Sequence, residues 1–404
     1  MIKVGVCGVG GFGPSFVPLF QSHPLVSEMA LADVVPERLE EAARQFGIKR
    51  TYPSLEAMLA SDVDAVAIIT QRHLHGPMTI DALKAGKHVY CTVPLGQTLE
   101  EMREIIRLVE QTRLVYMSGE TSYYYSNVIY CRDRFRKGDF GDFVMGESSY
   151  LHDMSQGFYD AFKHSGGADW KRVAGFPPMY YCTHSVSQVL SVTGARMTHV
   201  SCMGFEDRHE DGIFRVGANN WDNPFSNETA LMRTSDGGMV RINEFRRVGW
   251  SGISELPMSI FGTKGSYEEC AGGQFWTDLN KNLLDLNDLL FYSRELGYPA
   301  ADHEVTEAEL SIRYAKTHPV HRLPRVFWSQ RNGHLGSHQF LVDDFVKSVV
   351  TRKLPPINAW EAAKYAAPGI IAHESAKQGG VLLEVPDFGT PPADWPILDP
   401  EAEL

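Results

Sequence analysis

Tyr181 and His184 stand three residues apart, a spacing that on one helical turn turns both side chains to the same side. Tyr150 and His152 alternate with Leu151, so on a strand they share a face. An imidazole with its ordinary pKa near ~6.5 exchanges protons with a hydroxyl close to neutrality. A tyrosine serves as a base where a neighbouring cation lowers its pKa. Glu120 follows a run of strand-like segments, at the carboxyl edge where parallel sheets bind ligands, and can orient or deprotonate a hydroxyl. The alternative for each of the five is a packed core residue with a satisfied polar tip.

A second cluster is built of glycine. Gly8-Val9-Gly10-Gly11-Phe12-Gly13 follows the first strand pattern and opens a helical stretch. The first glycine permits a tight turn, the second lets the backbone approach a pyrophosphate, and the third allows close helix–strand packing. Asp33 lies about 20 residues further on, where a carboxylate takes the ribose hydroxyls and repels a 2′-phosphate. NAD is therefore expected over NADP, with Gly8, Gly10, Phe12, Gly13, Asp33 and Arg38 among the cofactor contacts. A ligand-free glycine turn is the alternative, and flavin or S-adenosylmethionine proteins share part of the pattern. His73-Leu74-His75 would form a metal pair if it lay on a strand, but no third ligand stands at a recognisable spacing, so no metal is expected.

These residues need a scaffold. Short Val/Ile-rich runs at 3–7, 29–34, 65–70, 87–92 and 114–118 alternate with helical periodicity, as in 36–46 and 99–111. This is the βαβ signature of a doubly wound parallel sheet. After residue 120 the strands lengthen and alternate. Residues 228–234 and 239–245 flank Ser235-Asp236-Gly237-Gly238 as a hairpin. Residues 270–330, polar and interrupted by proline, read as an insertion or an arm over a site or subunit interface. A last helix over 359–378 ends at Gly379-Gly380. The expected class is α/β: an NAD-binding Rossmann domain over 1–120, and an α+β domain for substrate and oligomerisation over 121–404, with the last helix packing back on the first domain.

The whole chain has 404 residues, 43% of them apolar, so it has material for packed cores and is not a disordered chain. With 38 basic against 50 acidic residues and a net charge of −12, it has no basic run to neutralise phosphates, so nucleic acid is not an expected partner. The excess negative charge suits a neutral substrate, although Arg246-Arg247 supplies a local basic patch. Cys7, Cys91, Cys131, Cys182, Cys202 and Cys270 are scattered without a C-x-x-C pair and read as free thiols. No membrane span or signal peptide pattern is found, and a cytoplasmic protein is expected.

With these pieces placed, the chain resembles the glucose-fructose oxidoreductase, inositol dehydrogenase and rhizopine catabolism family, Gfo/Idh/MocA. The resemblance rests on Ala32-Asp33, Thr70 with His75, Gly86-Lys87-His88-Val89, Lys137-Gly138-Asp139-Phe140-Gly141 and Phe261-Gly262-Thr263-Lys264-Gly265-Ser266. It implies a Rossmann domain followed by an open, mostly antiparallel sheet, assembly as a homodimer or homotetramer, and cofactor contacts from Thr70, His75, Thr92, Val93 and Pro94, with His75 capping the helix beside the cofactor. Where the family has Cys-Glu-Lys-Pro, whose lysine assists proton transfer, this chain has Cys91-Thr92-Val93-Pro94. Valine exchanges no proton. Tyr180 also stands where the family has an Asp.

Both departures point to a branch similar to the family 109 glycoside hydrolases, which use tightly held NAD and also lack the lysine. Glu120-Thr121-Ser122-Tyr123, Tyr150-Leu151-His152-Asp153, Tyr181-Cys182-Thr183-His184 and Gly333-His334-Leu335-Gly336 resemble that branch's motifs. Thr92 replaces its glutamate and Leu335 its glycine. The resemblance implies a carbohydrate substrate and redox-neutral hydrolysis: oxidation at sugar C3, deprotonation at C2, elimination, water addition and re-reduction. His184 would exchange the C3 hydroxyl proton, Tyr181 act at C2, Glu120 orient a hydroxyl, and Tyr150 and His152 serve the leaving group or bind sugar. Tyr123 and His334 are the substrate-binding candidates, with core packing for the run Tyr123–Tyr125 as the alternative. A net NAD-dependent sugar or cyclitol dehydrogenase and a non-catalytic NAD sensor are the competing readings.

Overall fold

The computed structural model describes residues 1–249, 255–291 and 305–399. They form two compact units, the first of 1–126, 291–363 and 388–404, the second of 127–290 and 364–387.

The first unit holds a six-stranded sheet. Strands β1 (Ile2–Cys7), β2 (Val26–Ala32), β3 (Arg50–Tyr52), β4 (Ala65–Ile68), β5 (His88–Cys91) and β6 (Tyr116–Ser118) run parallel in the order β3-β2-β1-β4-β5-β6. β4, Ala-Val-Ala-Ile, is buried along its whole length, as expected of a strand covered on both faces. The strand order reverses between β1 and β4, the switch point of a doubly wound sheet, so the glycine loop after β1 opens at the binding edge. Connecting helices follow their end signals. Pro36–Phe46 begins on proline and ends at Gly47 (φ 67°), and Leu99–Thr112 starts from a Thr98/Glu101 capping box. The parallel sheet read from the sequence is borne out, with one addition. β3 has three residues and no apolar run, so periodicity gave no sign of it.

Residues 305–363 and 388–399 also fold into this unit. The helix His338–Thr351 brings Phe345 against Phe20 and Tyr90 at ring distances of 6.2 and 5.7 Å, and Arg322 pairs with Asp343 and Asp344 of that helix, all buried.

The second unit is a nine-stranded sheet. Strands β7 (Phe143–Leu151), β8 (Met197–Glu206), β9 (Phe225–Thr234), β10 (Met239–Phe245), β11 (Met258–Gly262), β12 (Gly265–Cys270), β13 (Gly273–Asp278), β14 (Leu283–Asp285) and β15 (Leu383–Glu384) lie in the order β14-β13-β12-β11-β7-β10-β9-β8-β15. Every pair is antiparallel except β7 with β10. The hairpin over Ser235–Gly238 is as expected, with Gly237 at φ 92°. The open, mostly antiparallel sheet is borne out. Part of the 270–330 stretch, read as an arm, is instead β13 and β14 at the sheet edge, where Trp276 is buried while Leu283 and Leu284 are exposed. Residues 292–304 lie outside the described residues. The final helix runs Ala359–Lys377, its first turn within the first unit and the remainder within the second. Among the described residues no helix is long and apolar enough to cross a membrane.

Candidate active site

In the first unit the glycine loop is shaped by close backbone approach. Gly8 sits at φ 93°, and a Cβ there would lie 2.2 Å from the carbonyl oxygen of Ile69. A Cβ at Gly13 would lie 1.9 Å from Gly8 O, whereas one at Gly11 would meet open space. The loop thus requires glycine at its two ends and leaves room at its crest, the arrangement that admits a pyrophosphate. Asp33, buried at the end of β2, accepts Val9 N through Oδ2 and Val35 N through Oδ1, each at 2.9 Å. A carboxylate has about four acceptor sites, so the ribose hydroxyls still have positions to fill. These residues fit a dinucleotide.

The helix expected straight after the loop is interrupted: a single 3₁₀ turn, Gly13–Ser15, precedes the short helix Val17–Ser22. Pro14 and Pro18 have no N–H to continue the ladder. Phe12 projects from the loop and meets His334 edge-on at 5.2 Å and His338 at 5.5 Å. The two imidazoles bond each other, His334 Nδ1 to His338 Nε2 at 2.8 Å. His338 is buried and stacked on Phe16 at 4.4 Å, and burial drives its pKa well down, helped by His334 and Arg331. Two sequence candidates far apart in the chain, Phe12 and His334, are therefore in contact.

His75 opens the helix His75–Lys84 and is buried, its Nδ1 3.0 Å from Pro94 O and its Nε2 3.2 Å from Thr70 O and 3.4 Å from Thr92 Oγ1. Burial lowers its pKa to about 4. A neutral ring carries a single N–H, so it donates to only one of the two carbonyls, Pro94 O or Thr70 O, while lying against Thr92, all three of them expected cofactor-side residues. The ring does not cap the helix as the resemblance implied: Leu74 is the N-cap residue, no side-chain cap bond is made, and the imidazole turns to Thr70 and the 92–94 segment instead. His73 lies in the 3₁₀ turn Arg72–Leu74, so the strand geometry imagined for a His73/His75 metal pair is corrected: the pair spans a turn and a helix start. Arg38 is half-buried in the first turn of Pro36–Phe46, and Thr92, Val93 and Pro94 are buried. Glu120, fully buried after β6, caps the turn Thr121–Tyr124, its Oε1 accepting Ser122 N at 3.0 Å and Ser122 Oγ at 2.8 Å. The half-buried Tyr123 packs edge-on against Tyr124.

In the second unit four candidates gather. Tyr181 and His184 have ring centres 5.2 Å apart, Tyr150 stands 6.0 Å from Tyr181 and 5.7 Å from His184, and His152 lies 5.5 Å from Tyr150. Tyr181 ends the 3₁₀ turn Pro178–Tyr181 and His184 belongs to the first turn of the helix Thr183–Thr193, so the spacing of three works across a junction. Two residues missed from sequence lie beneath. The register sets Tyr150 opposite Glu244, and Glu244 opposite Glu228, in one row across β7, β10 and β9. Both carboxylates occupy the inward phase of their strands, with Val240, Ile242, Ala230 and Met232.

Both oxygens of each carboxylate have a partner. Glu228 accepts Met179 N at 2.9 Å and meets His373 Nδ1 at 2.8 Å. Glu244 accepts Ser185 Oγ at 2.5 Å and Arg246 Nη2 at 2.9 Å. Burial pushes the Glu244 carboxyl up to about 7, against the opposing pull of Arg246, Ser185 and His184. The Arg246 guanidinium lies over the Tyr150 ring at 4.8 Å, so the cation sought near Tyr181 stands over its neighbour. The sequence signal for the missed pair is a carboxylate at a core phase of an alternating strand.

The flanking loops are tied by Arg247, which donates to Tyr159 Oη and to Asp211 Oδ2, each at 2.6 Å. Burial alone would raise Asp211; hydrogen bonds from Tyr159, Ile213 N and Arg247 overcome it and hold the carboxyl at about 2. The same loops share a small core of Met154, Phe158, Ala174, Ile213 and Phe214.

Residues 2–120 match the model of an oxidoreductase family with an NAD-binding Rossmann fold, Gfo/Idh/MocA. The chain is 24% identical to a glycosyl hydrolase family 109 protein of Streptomyces filamentosus, over 96% of this chain and 77% of that protein. It is 31% identical to an alpha-N-acetylgalactosaminidase of Shewanella oneidensis, over 38% of this chain and 36% of that protein. Among solved structures it is similar to scyllo-inositol dehydrogenase from Lactobacillus casei with bound NAD(H) and scyllo-inositol, with a TM-score of 0.67 and 18% identity over 95% of this chain and 99% of that one. The last likeness is one of fold. The resemblance read from the motifs is borne out.

Proposed function

We propose that this Gfo/Idh/MocA-type enzyme is an NAD-dependent glycoside hydrolase whose cycle is redox-neutral. The observation that carries the reading is the group Tyr150, His152, Tyr181 and His184, joined by ring distances of 5.2 to 6.0 Å, in a chain with Val93 where the dehydrogenases of this type keep a lysine. The names carried by the two sequence relatives support it.

Gly8, Gly10, Phe12, Gly13, Asp33 and Arg38 would hold NAD, with Thr70, His75 and Thr92–Pro94 shaping the wall beside it. When bound, NAD supplies reversible hydride acceptance at sugar C3. His184 takes the proton of the C3 hydroxyl as the ketone forms and returns it at the end. The ketone acidifies the C2 hydrogen, and Tyr181 removes that proton. The C2–H electron pair becomes a C1–C2 double bond as the bond from C1 to its substituent breaks, with Tyr150 and His152 serving the departing oxygen. Water then adds across the double bond, its oxygen at C1 and a proton at C2. Glu120, Tyr123 and His334 bind and orient the sugar. Asp33 disfavours NADP by repelling a 2′-phosphate, and a cofactor regenerated in every cycle is best retained tightly. The enzyme would act in the cytoplasm as a homodimer or homotetramer on a neutral carbohydrate.

The test is cleavage of aryl glycosides in deuterium oxide without added nucleotide. Release of the aryl group, deuterium at C2 and no accumulation of NADH are expected; product without deuterium at C2 overturns the cycle. The likeness in fold to a cyclitol dehydrogenase favours a second reading, net oxidation of a ring hydroxyl. That reading predicts one NADH per sugar consumed.

A further inference from the structure

Buried charge at a core phase is an expensive choice for a β-sheet. Like charges directly opposite each other on neighbouring strands destabilise the pair, and each ion loses its hydration. Glu228 and Glu244 do both: they are cross-strand partners and are almost wholly buried, at 1% and 0% exposure. The same strands fill their other inward phases with Ala230, Met232, Val240 and Ile242. Departures from the local rule concentrate where function requires them.

Their hydrogen bonds show what they hold. The chain corner from Met179 to Ser185 carries Tyr181 and His184. Glu228 grips its start through Met179 N, and Glu244 grips its end through Ser185 Oγ. Arg246 neutralises Glu244 and lies over the Tyr150 ring, while its Nη1 donates to the carbonyl of Phe245 at 3.1 Å. Thus one ion pair touches the supports of all three rings.

We infer that Glu244 and Arg246 are positioning residues: together they fix the Tyr181–His184 corner and supply the local field in which the rings of Tyr150, Tyr181 and His184 exchange protons. The charged and titratable groups facing Glu244 are Arg246 just past the end of its own strand, Glu228 on β9, Tyr150 on β7, and Cys182 and His184 at the corner and the start of the helix that follows it. Attraction between Glu244 and His184 is mutual, so removing the carboxylate charge alters the proton equilibrium of the imidazole even when the hydrogen-bonding shape is kept.

The inference deepens the glycosidase reading, and its test separates the two. Glu244→Gln keeps an acceptor for Ser185 but removes the charge. With an aryl glycoside, kcat is expected to fall about ten- to hundredfold, as for other partners that orient a reacting group, with KM and bound NAD unchanged; wild-type kcat across the pH range overturns the inference. A second arm needs no turnover: nitrogen-15 histidine NMR of the NAD-loaded protein, with His184 assigned through His184→Asn. In Glu244→Gln the His184 ring is expected to lose its proton at lower pH than in wild type, and superimposable titrations overturn the inference. If Glu244→Gln does not fold because Arg246 is left unpaired, Glu244→Gln/Arg246→Leu removes both charges; their effects on the His184 proton oppose each other, so kcat is the readout for this variant, and wild-type kcat in the folded double variant overturns the inference. Failure of the wild-type protein to cleave any aryl glycoside counts against the glycosidase reading and leaves the NMR arm to decide this one.

Discussion

The two units set their buried polar groups to different uses. In the first, burial lowers His75, His88 and His318 each to about 4, so these three rings are neutral. Its nucleotide-binding candidate relies on backbone amides and one carboxylate. Both units keep a buried ion pair, Arg322 with Asp343 and Asp344 in the first and Arg246 with Glu244 in the second, but only the second sets its pair beside the rings of Tyr150, Tyr181 and His184. A backbone cradle is what a ligand of fixed negative charge requires, whereas moving protons during a reaction requires ionisable groups whose equilibria the surroundings set.

The contrast is broken most directly by acid. A histidine whose folded pKa lies below its unfolded value favours the neutral native state, so its contribution is present above about 6.5 and is lost as pH falls towards 4. Each of the three histidines in the first unit contributes on the order of 3 kcal/mol in that window by the same linkage. Glu244 has the opposite sign: its folded pKa is raised, so its contribution is full below the unfolded value and is lost as pH rises through about 7. Hydrogen exchange between pH 4 and 7, resolved by peptide, should show protection of the first unit falling on acidification while β10 does not follow it. Parallel loss in both units would remove the distinction.

The second test separates chemistry from cofactor retention. His184→Ala should lower glycoside turnover by about 10²–10⁴, the usual range for a lost acid–base group, while the purified protein still releases NAD on denaturation. Loss of NAD together with activity would show that the two units do not divide the work this way. The reverse case is Gly13→Ala. Its new Cβ would meet Gly8 O at 1.9 Å, and relieving that overlap costs about 1–3 kcal/mol. NAD affinity, read by calorimetry, should fall by about ten- to hundredfold, with hydrogen exchange in β7, β9 and β10 unchanged.

The same division explains what the sequence made legible. A backbone cradle needs glycine at fixed spacing and a carboxylate after the next strand, so Gly8, Gly13 and Asp33 could be read from the linear order. Tyr181 and His184 were legible because three residues carry a side chain round to the same side, even across the junction that separates them here. Glu228 and Glu244 were not. Their phase is that of Ala230, Met232, Val240 and Ile242, but a carboxylate is read by its type as solvent-facing, and only the register with Tyr150 sets the pair beside the rings. Nor does any periodicity announce that residues 305–363 fold with the first unit; that follows from long-range contacts such as Phe345 with Phe20.

The smallest effect is expected at Asp33, the one carboxylate on the backbone-built side. It already accepts Val9 N and Val35 N, so it has a structural task as well as the proposed ribose contact. The substitution Asp33→Asn leaves one carbonyl oxygen where the carboxylate offers two, so one of the two amides loses its acceptor. It also removes the charge that repels a 2′-phosphate. If the ribose contact is real, NAD affinity should fall by about tenfold, roughly one charge-assisted hydrogen bond, while NADP affinity stays level or rises, so that the ratio narrows. If Asp33 only latches the loop, both affinities fall together and the ratio is unchanged. Glu244→Gln provides the contrast: the same chemical change is expected to act on turnover and leave NAD bound, because there the lost charge belongs to proton movement rather than to ligand capture.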